Sequence, residues 1–240
     1  MTFPDFLCVG AQKAGTTWLH KILSQHPGVY VPERKEMHFF NYEYKFKSLR
    51  WYSNEFSGNE GRLAGDVTPA YSVLGLDDVQ FMRRLMPGAK VILLLRNPVD
   101  RAYSAAKMHL SLLAGRDFNE ISEDQYIEHF KSVHSLGRSD YIEIHKKYSG
   151  CFGPENVFVG FQEQIENDPK QLMVDIFRFL GVDDQPDWSL FPLRERIGGS
   201  VNSETIPDKY RLFLERLYKE KITEMASYFG SYATQWVVDK

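Results

Sequence analysis

Along this chain of 240 residues, short unbroken apolar runs alternate with longer stretches of helical spacing. The strongest run is Lys90–Leu95, which is β-branched and aliphatic, and Phe6–Gly10 is a second run that ends in glycine. Continuous apolar runs of this length are typical of strands that are buried on both faces of a parallel sheet. Weaker runs at 62–66 and 156–160 predict two further strands, and 29–32 predicts a short extended segment.

Between these runs, apolar residues recur every three to four positions, which predicts helices. The predicted helices span residues 16–25, 77–86, 98–113, 123–132, 141–148, 169–180 and 208–229. Residues that favour helix ends support these bounds, since Asp168 precedes Pro169 and Gly181 follows the same helix. Residues 183–203 have no period and are rich in Pro, Gly and Arg, so we expect a long loop there.

The alternation of predicted strands and helices indicates one α/β domain over residues 1–240, with helices packed on a mostly parallel sheet. With 29 basic and 32 acidic residues the formal charge is −3, which argues against nucleic acid or an anionic membrane as a partner. We find no membrane-spanning run and no secretion signal, and the two cysteines are too few for a disulfide framework. We therefore expect a soluble, cytoplasmic protein that binds any anion through a local site.

A glycine-rich loop at residues 10–17 separates the first predicted strand from the first helix. Its glycines lie five positions apart, so backbone amides of the loop and of the helix N-terminus can converge on an anion. In the nucleotide triphosphatase loop, G-x-x-x-x-G-K-[ST], a lysine follows the second glycine. Here Thr16 occupies that position, and Lys13 lies two residues before Gly15. The loop therefore predicts a phosphate cradle of a different kind.

The end of the Lys90–Leu95 run also differs from a triphosphatase, because Arg96 stands where an aspartate would hold Mg²⁺. A guanidinium fork suits phosphate rather than a metal ion. Ser104 follows eight residues later, about two helical turns away, so both side chains can face one phosphate. The alternatives are that Arg96 caps the helix or pairs with Asp100, and that Ser104 is an ordinary helical serine.

Together, these two motifs resemble the cofactor motifs of sulfotransferases that use 3′-phosphoadenosine 5′-phosphosulfate (PAPS). The motifs are Lys-Ala-Gly-Thr-Thr-Trp at 13–18 and Leu-Arg-Asn-Pro-Val-Asp-Arg-Ala-Tyr-Ser at 95–104. Residues 35–41 are similar to the segment after the phosphate loop in glycosaminoglycan-type sulfotransferases and their bacterial relatives, and 161–169 resembles the family's C-terminal landmark. The resemblance covers most of the chain. It implies the P-loop-type sulfotransferase fold, with a central, mostly parallel sheet flanked by helices, and no metal.

The resemblance also implies which residues bind the cofactor. In the phosphate loop, the 5′-phosphosulfate would be bound by Lys13, Ala14, Gly15, Thr16, Thr17 and Trp18. The 3′-phosphate would be bound by Arg96 and Ser104, with a looser match at Arg138. Arg194 and Arg196 lie in the long loop, which the family closes over the nucleotide, although solvated charges are an equal alternative for both. Arg101 is expected to be structural.

For the base that deprotonates the acceptor, the resemblance points to Glu36, with His38 beside it. A solvated charge run and a half-buried histidine are the ordinary alternatives for these residues. Asp66 is a second candidate carboxylate near the cleft, although Val67 follows it where many relatives carry lysine. His109 is a third candidate.

The function implied is a PAPS-dependent sulfotransferase, in which an acceptor hydroxyl or amine attacks sulfur in line and adenosine 3′,5′-bisphosphate leaves. The alternatives are a nucleotide kinase of related P-loop fold and a nucleotide-binding module without catalysis. The acceptor stays open among small molecules, sugars, lipids and carrier-tethered chains, as do O- or N-sulfation and the oligomeric state.

Overall fold

The predicted strands pair into one sheet in the computed structural model, which describes residues 1–112, 115, 120–195 and 205–238. Within these residues the strands are β1 (Phe6–Gly10), β2 (Val29–Tyr30), β3 (Leu63–Val67), β4 (Lys90–Leu95) and β5 (Val157–Phe161). Their order is β2-β3-β1-β4-β5, and every neighbouring pair is parallel. The predicted α/β fold with a mostly parallel sheet is confirmed.

The strands β1 and β4 lie side by side in the sheet, with Cys8 paired to Ile92. All five residues of β1 are buried, and so are the last five of β4. A strand with both faces buried has no polar face, which explains the absence of alternation in its sequence. Each buried leucine or valine side chain contributes about 1.5–3 kcal/mol, so these strands supply a large part of the core.

The chain divides into two units. The first consists of Met1–Leu95 and Glu143–Gly198 and contains the whole sheet. The second consists of Arg96–Ile142 and Gly199–Lys240. The single domain expected over residues 1–240 stays a prediction.

Helices follow most of the strands along the chain. They are α1 (Thr16–Leu23), α2 (Leu49–Asn54), α3 (Leu76–Leu85), α4 (Pro98–Lys107), α5 (Glu123–Lys131), α6 (Val133–Gly137), α7 (Tyr141–Phe152), α8 (Gln162–Asn167), α9 (Pro169–Leu180) and α10 (Asp208–Phe229). The predicted helices are confirmed, and α2, α6 and α8 are additional short helices. A π-helix over Met108–Leu112 continues α4, and residue 113 of the predicted helix lies outside the described residues.

The helix α9 shows how the sequence marks helix ends. The carboxylate of Asp168 accepts the backbone N–H of Gln171 at 3.1 Å, and Pro169 fills the first helical position. Gly181 ends the helix in a left-handed conformation, with φ of 83°. Glycine adopts this conformation without a Cβ clash, so the expected stop is confirmed.

In the second unit, Arg101 of α4 is fully buried. Its Nε donates to Ser139 Oγ at 2.7 Å, and its Nη2 donates to the backbone oxygen of Ser135 at 2.9 Å. The expected structural role of Arg101 is thereby confirmed. In α10 the buried residues recur every three to four positions, in line with the helical spacing of the sequence; they are Tyr210, Leu214, Tyr218, Ile222 and Met225.

Cys8 is buried within β1, and Cys151 is partly exposed. Burial raises the pKa of the Cys8 thiol to about 12, so this side chain behaves as a small apolar group near neutral pH. In the part of the chain that the structure describes, no helix combines the length and the apolar character needed to cross a membrane.

Candidate functional site

The glycine-rich loop joins β1 to α1 and is held against the neighbouring strand. The N–H of Ala11 donates to the carbonyl oxygen of Leu94, near the end of β4, at 2.5 Å. A Cβ at Gly10 would lie 2.9 Å from the Cβ of Ser72, which is closer than side chains pack. Only glycine therefore lets the loop leave β1 at this point.

Gly15 is the N-cap of α1, in a left-handed conformation with φ of 90°. It has no side chain to accept the N–H groups of the first helical turn, which also lack acceptors within the helix. These N–H groups belong to Thr16, Thr17 and Trp18. Aligned N–H groups and the positive end of the helix dipole attract anions, so the start of α1 is suited to phosphate. Of the two threonines, Thr16 is buried and Thr17 is exposed.

Lys13, between the two glycines, is half-buried and has a left-handed backbone with φ of 72°. This conformation costs a residue with a side chain about 1–2 kcal/mol relative to the right-handed one. The neighbouring Ala14 is fully buried and donates its N–H to Ala11 O at 3.2 Å, which closes the turn. The loop therefore holds a lysine at a position where the backbone conformation favours glycine.

The side chain of Trp18 has a contact that the sequence did not suggest. Its indole Nε1 donates to the carbonyl oxygen of Leu193 at 3.1 Å, and the side chain is almost completely buried. This hydrogen bond ties the segment that carries Arg194 to α1. Arg194 itself is exposed, and Arg196 lies outside the described residues.

The segment after β2 is held to α1 at two points. His20 Nε2 lies 2.9 Å from the carbonyl oxygen of Pro32, and Lys35 Nζ lies 3.4 Å from Thr17 Oγ1. Burial lowers the pKa of His20, which makes the neutral ring the favoured donor in this contact. The predicted base segment therefore begins next to the first turn of α1.

Glu36 and His38 are in contact. His38 Nε2 lies 3.3 Å from Glu36 Oε2, and Lys35 Nζ lies 3.6 Å from Glu36 Oε1. On its other side, His38 Nδ1 lies 3.2 Å from Asn41 Oδ1. Glu36 is partly exposed, with a side-chain exposure of 25%, so its carboxylate is open to solvent. The structure thus places the two predicted residues as a pair beside Lys35.

Asp66 was expected near the cleft as an alternative base, but its geometry does not support that role. The side chain is fully buried, and both carboxylate oxygens are engaged. Oδ1 accepts from Thr68 Oγ1 at 2.6 Å, whereas Oδ2 accepts from Tyr52 OH at 2.8 Å and Tyr71 OH at 3.0 Å. Burial raises the pKa of Asp66, and the three hydroxyl groups oppose that rise. The carboxylate has no exposed oxygen for an acceptor to approach.

Arg96, Ser104 and Arg138 all belong to the second unit. Arg96 directly follows β4, and its carbonyl oxygen accepts from Tyr141 OH at 2.8 Å. Ser104 lies on α4, and both residues are half-buried. Arg138 follows α6 and is also half-buried.

The helix that carries Ser104 begins as predicted, because Asn97 Oδ1 accepts the N–H of Val99 at 2.9 Å. Asp100, which the sequence offered as a partner for Arg96, lies 3.9 Å from Arg211. The hydrogen bond from Val99 makes Asn97 the N-cap of α4.

His109, the third candidate base, lies in the π-helix of the second unit. Its Nδ1 is 3.1 Å from the carbonyl oxygen of Ala105, and its ring centroid is 5.3 Å from that of His129. Burial, aided by the charges of His109 and Arg101, lowers the pKa of His129 to about 4. This leaves His129 neutral near pH 7, and His109 packs against an uncharged ring.

Within the described ranges, no three histidine, cysteine or acidic side chains are grouped so that they could hold a metal ion.

The sequence did not predict the side-chain contacts of Lys35, of the Trp18 indole or of Asp66. Lys35 lies in a run of charges that is ordinarily solvated, and only its contact with Thr17 separates it from that group. The signal that could have indicated the contacts of Asp66 is its position in a strand, where a buried carboxylate needs hydrogen-bond donors.

Comparison with known proteins gives a consistent picture. A family model described as "Sulfotransferase domain" matches residues 3–190. "Membrane-associated sulfotransferase kil1" of Dictyostelium discoideum is 33% identical over 116 residues, which are 47% of this chain and 24% of that protein. "Bifunctional heparan sulfate N-deacetylase/N-sulfotransferase 2" of Homo sapiens is 39% identical over 109 residues, which are 42% of this chain and 12% of that protein. The matched segments thus span a quarter or less of these relatives.

Among solved structures, a sulfotransferase from Alicyclobacillus acidocaldarius is 27% identical with a TM-score of 0.77, and the match covers 98% of this chain and 99% of that one. Mouse sulfotransferase SULT7A1, complexed with PAP, is 18% identical with a TM-score of 0.61, and the match covers 97% and 89% of the two chains. The second likeness is one of fold.

Proposed function

Because this chain belongs to the sulfotransferase domain family, we propose that it transfers a sulfuryl group from PAPS to a hydroxyl or amine of an acceptor. The observation that carries the proposal is the loop between β1 and α1. It holds Lys13 in a left-handed conformation directly before an uncapped helix N-terminus. A cation beside converging N–H groups is suited to a phosphosulfate.

The loop residues fit the 5′ end of the donor. The N–H groups of Thr16, Thr17 and Trp18 would bind the 5′-phosphate, and Lys13 would bind where the phosphate meets the sulfuryl group. Arg96 and Ser104 would bind the 3′-phosphate, with support from Arg138. Arg194 would reach the nucleotide from the segment that Trp18 holds.

In the proposed reaction, the acceptor oxygen or nitrogen forms a bond to sulfur while the bond from sulfur to the phosphate oxygen breaks, and adenosine 3′,5′-bisphosphate leaves. Glu36 takes the proton from the acceptor. His38 and Lys35 hold the Glu36 carboxylate from its two oxygens. Lys13 stabilises the negative charge that grows on the leaving phosphate, which lowers the barrier more than it favours the ground state.

We propose a sugar or another small molecule as the acceptor, and a lipid-like alcohol is a further member of the test panel. Heparan sulfate appears in the name of the human relative, which supports the inclusion of an amino sugar. We also propose that residues 1–240 act as one domain in the cytoplasm.

Radiolabelled transfer tests this function. The chain is incubated with ³⁵S-labelled PAPS and with glucosamine, 4-nitrophenol or 1-decanol in turn, and labelled product is separated by chromatography. Transfer to any of them supports the proposal. Phosphate transfer from ATP that depends on Mg²⁺ would instead indicate a kinase. Binding of adenosine 3′,5′-bisphosphate without turnover on any acceptor would indicate a binding module.

Adenosine 3′,5′-bisphosphate is expected to bind at least about tenfold more tightly than AMP, because charge-assisted hydrogen bonds to the 3′-phosphate contribute about 1.5–3 kcal/mol each. Calorimetry measures both affinities. Arg96→Ala should weaken the bisphosphate and leave AMP unchanged, whereas Arg84→Ala, an exposed arginine of α3, should change neither. Equal affinities for the two nucleotides would remove the role assigned to Arg96.

A further inference from the structure

The buried carboxylate of Asp66 is connected to the base segment through two hydroxyl groups. Thr68 Oγ1, which donates to Asp66, accepts the backbone N–H of Met37 at 3.0 Å. Tyr71 OH, which also donates to Asp66, accepts the backbone N–H of Phe39 at 3.0 Å. Asp66 is therefore linked through one hydroxyl group each to the backbone N–H groups of Met37 and Phe39, the residues on both sides of His38.

The direction of each hydrogen bond in this cluster is fixed. A backbone N–H can only donate, so the hydroxyl groups of Thr68 and Tyr71 accept from the backbone, and each keeps its own proton to donate to Asp66. An ionised carboxylate accepts hydrogen bonds and donates none, so each oxygen of Asp66 can accept a hydroxyl proton. An amide at position 66 would present its NH₂ group, which only donates, to at least one of these hydroxyl groups, so that the hydrogen bond from that hydroxyl group to residue 66 would be reversed or lost.

His38 itself is held in an unusual backbone conformation, with φ of 53°. Its carbonyl oxygen accepts the N–H groups of Tyr42 at 3.0 Å and Glu43 at 2.9 Å. A left-handed residue other than glycine persists when its surroundings fix the backbone. The hydrogen-bonded N–H groups of Met37 and Phe39 flank this residue, and the imidazole Nε2 lies 3.3 Å from Glu36 Oε2.

We propose that Asp66 is a positioning residue for the proton transfer: through Thr68 and Tyr71 it fixes the backbone around His38 and thereby the contact between His38 and Glu36. This inference rests on the proposed function, because it takes Glu36 as the base. It assigns Asp66 a role in turnover that does not require it to touch the acceptor.

The cluster contains its own matched control. Tyr71→Phe and Tyr52→Phe each remove one hydroxyl group that donates to Asp66 Oδ2, at 3.0 and 2.8 Å. Only Tyr71→Phe also removes the acceptor of a backbone N–H in the base segment. Thr68→Val and Thr68→Ser form a second pair, since the serine keeps the hydroxyl group and the valine loses it. These four variants avoid Asp66→Asn, which can fail to fold.

Two measurements are made on each full-length variant. The first is the NMR spectrum of the His38 imidazole, recorded at one pH in the presence of adenosine 3′,5′-bisphosphate. The second is sulfuryl transfer from PAPS to whichever of glucosamine, 4-nitrophenol and 1-decanol the wild-type chain sulfates fastest. Affinity for the bisphosphate and Tm are recorded as controls for donor binding and folding.

Tyr71→Phe and Thr68→Val are expected to shift and broaden the His38 signals and to lower kcat by about tenfold to a hundredfold, as misplaced catalytic groups do. Tyr52→Phe and Thr68→Ser should leave the His38 signals in place and change kcat by about twofold or less. Bisphosphate affinity should be unchanged in all four.

The inference is overturned if Tyr71→Phe and Tyr52→Phe give the same His38 spectrum, or if Thr68→Val matches Thr68→Ser. A loss of kcat that follows Tm equally in all four variants would also overturn it. If the wild-type chain sulfates none of the three acceptors, the transfer measurement contradicts the proposed function. The His38 spectra would still decide whether the Thr68 and Tyr71 hydroxyl groups, through which Asp66 acts, position the segment.

Discussion

Lys13→Ala is expected to lower sulfuryl transfer by about 10²–10³-fold, the loss typical when one stabilising group is removed from a transition state. The negative charge on the leaving phosphate grows as the bond to sulfur breaks, so the lysine acts most strongly at that moment. Its half-buried side chain lies in a loop outside the sheet core, and Tm should therefore stay near that of the wild type. Transfer of ³⁵S and thermal unfolding measure the two quantities on the same preparation.

The matched control is Lys21→Ala, which removes an exposed lysine from the adjoining helix α1. It has the same effect on net charge and should leave turnover unchanged. Unchanged turnover in Lys13→Ala would refute the role assigned to this residue. A fall in Tm that matches the fall in turnover would assign it to folding instead.

Glu36→Gln is expected to lower turnover by about 10²–10⁴-fold, the contribution of a positioned general base. Glutamine keeps the shape of the side chain and much of its hydrogen bonding with Lys35 and His38, but it cannot take a proton. Affinity for adenosine 3′,5′-bisphosphate should therefore stay nearly constant while kcat falls, which separates catalysis from binding. Calorimetry and transfer rates give the comparison.

Glu33→Gln serves as the control, because Glu33 is an exposed carboxylate in the same charged run. If Glu36→Gln is near wild type and His109→Ala is inactive, the base lies on the second unit rather than on the segment after β2. If both variants stay active, the acceptor is itself a good nucleophile, such as an amine or a phenolate.

Several features were predictable because they are local. The runs that became β1 and β4 are unbroken, and the ends of α9 carry residues that cap helices, so each element is specified by its own few residues. The loop around Lys13 was predictable for the same reason. The short helices α2 and α6 were not, since six and five residues are too few to display a helical period.

The role of Asp66 depends on contacts between distant parts of the chain. Its partner Tyr52 lies on α2, and the residues that it anchors, Met37 and Phe39, lie about thirty positions before Thr68 and Tyr71. In the sequence, Asp66 is one more carboxylate near a predicted strand end. Only the paired strands show that it is buried, and burial is what changes it from a candidate base into an anchor.

The left-handed backbone of Lys13 has a consequence for protein engineering. Glycine adopts φ near 72° without strain, so a search for stabilising substitutions would choose glycine at position 13 and gain up to about 1 kcal/mol. The same substitution would remove the charge that we propose stabilises the leaving phosphate. On the proposed function, a library of this chain selected by melting temperature alone would therefore be enriched in variants with lowered sulfuryl transfer, and position 13 has to be held fixed in any such design.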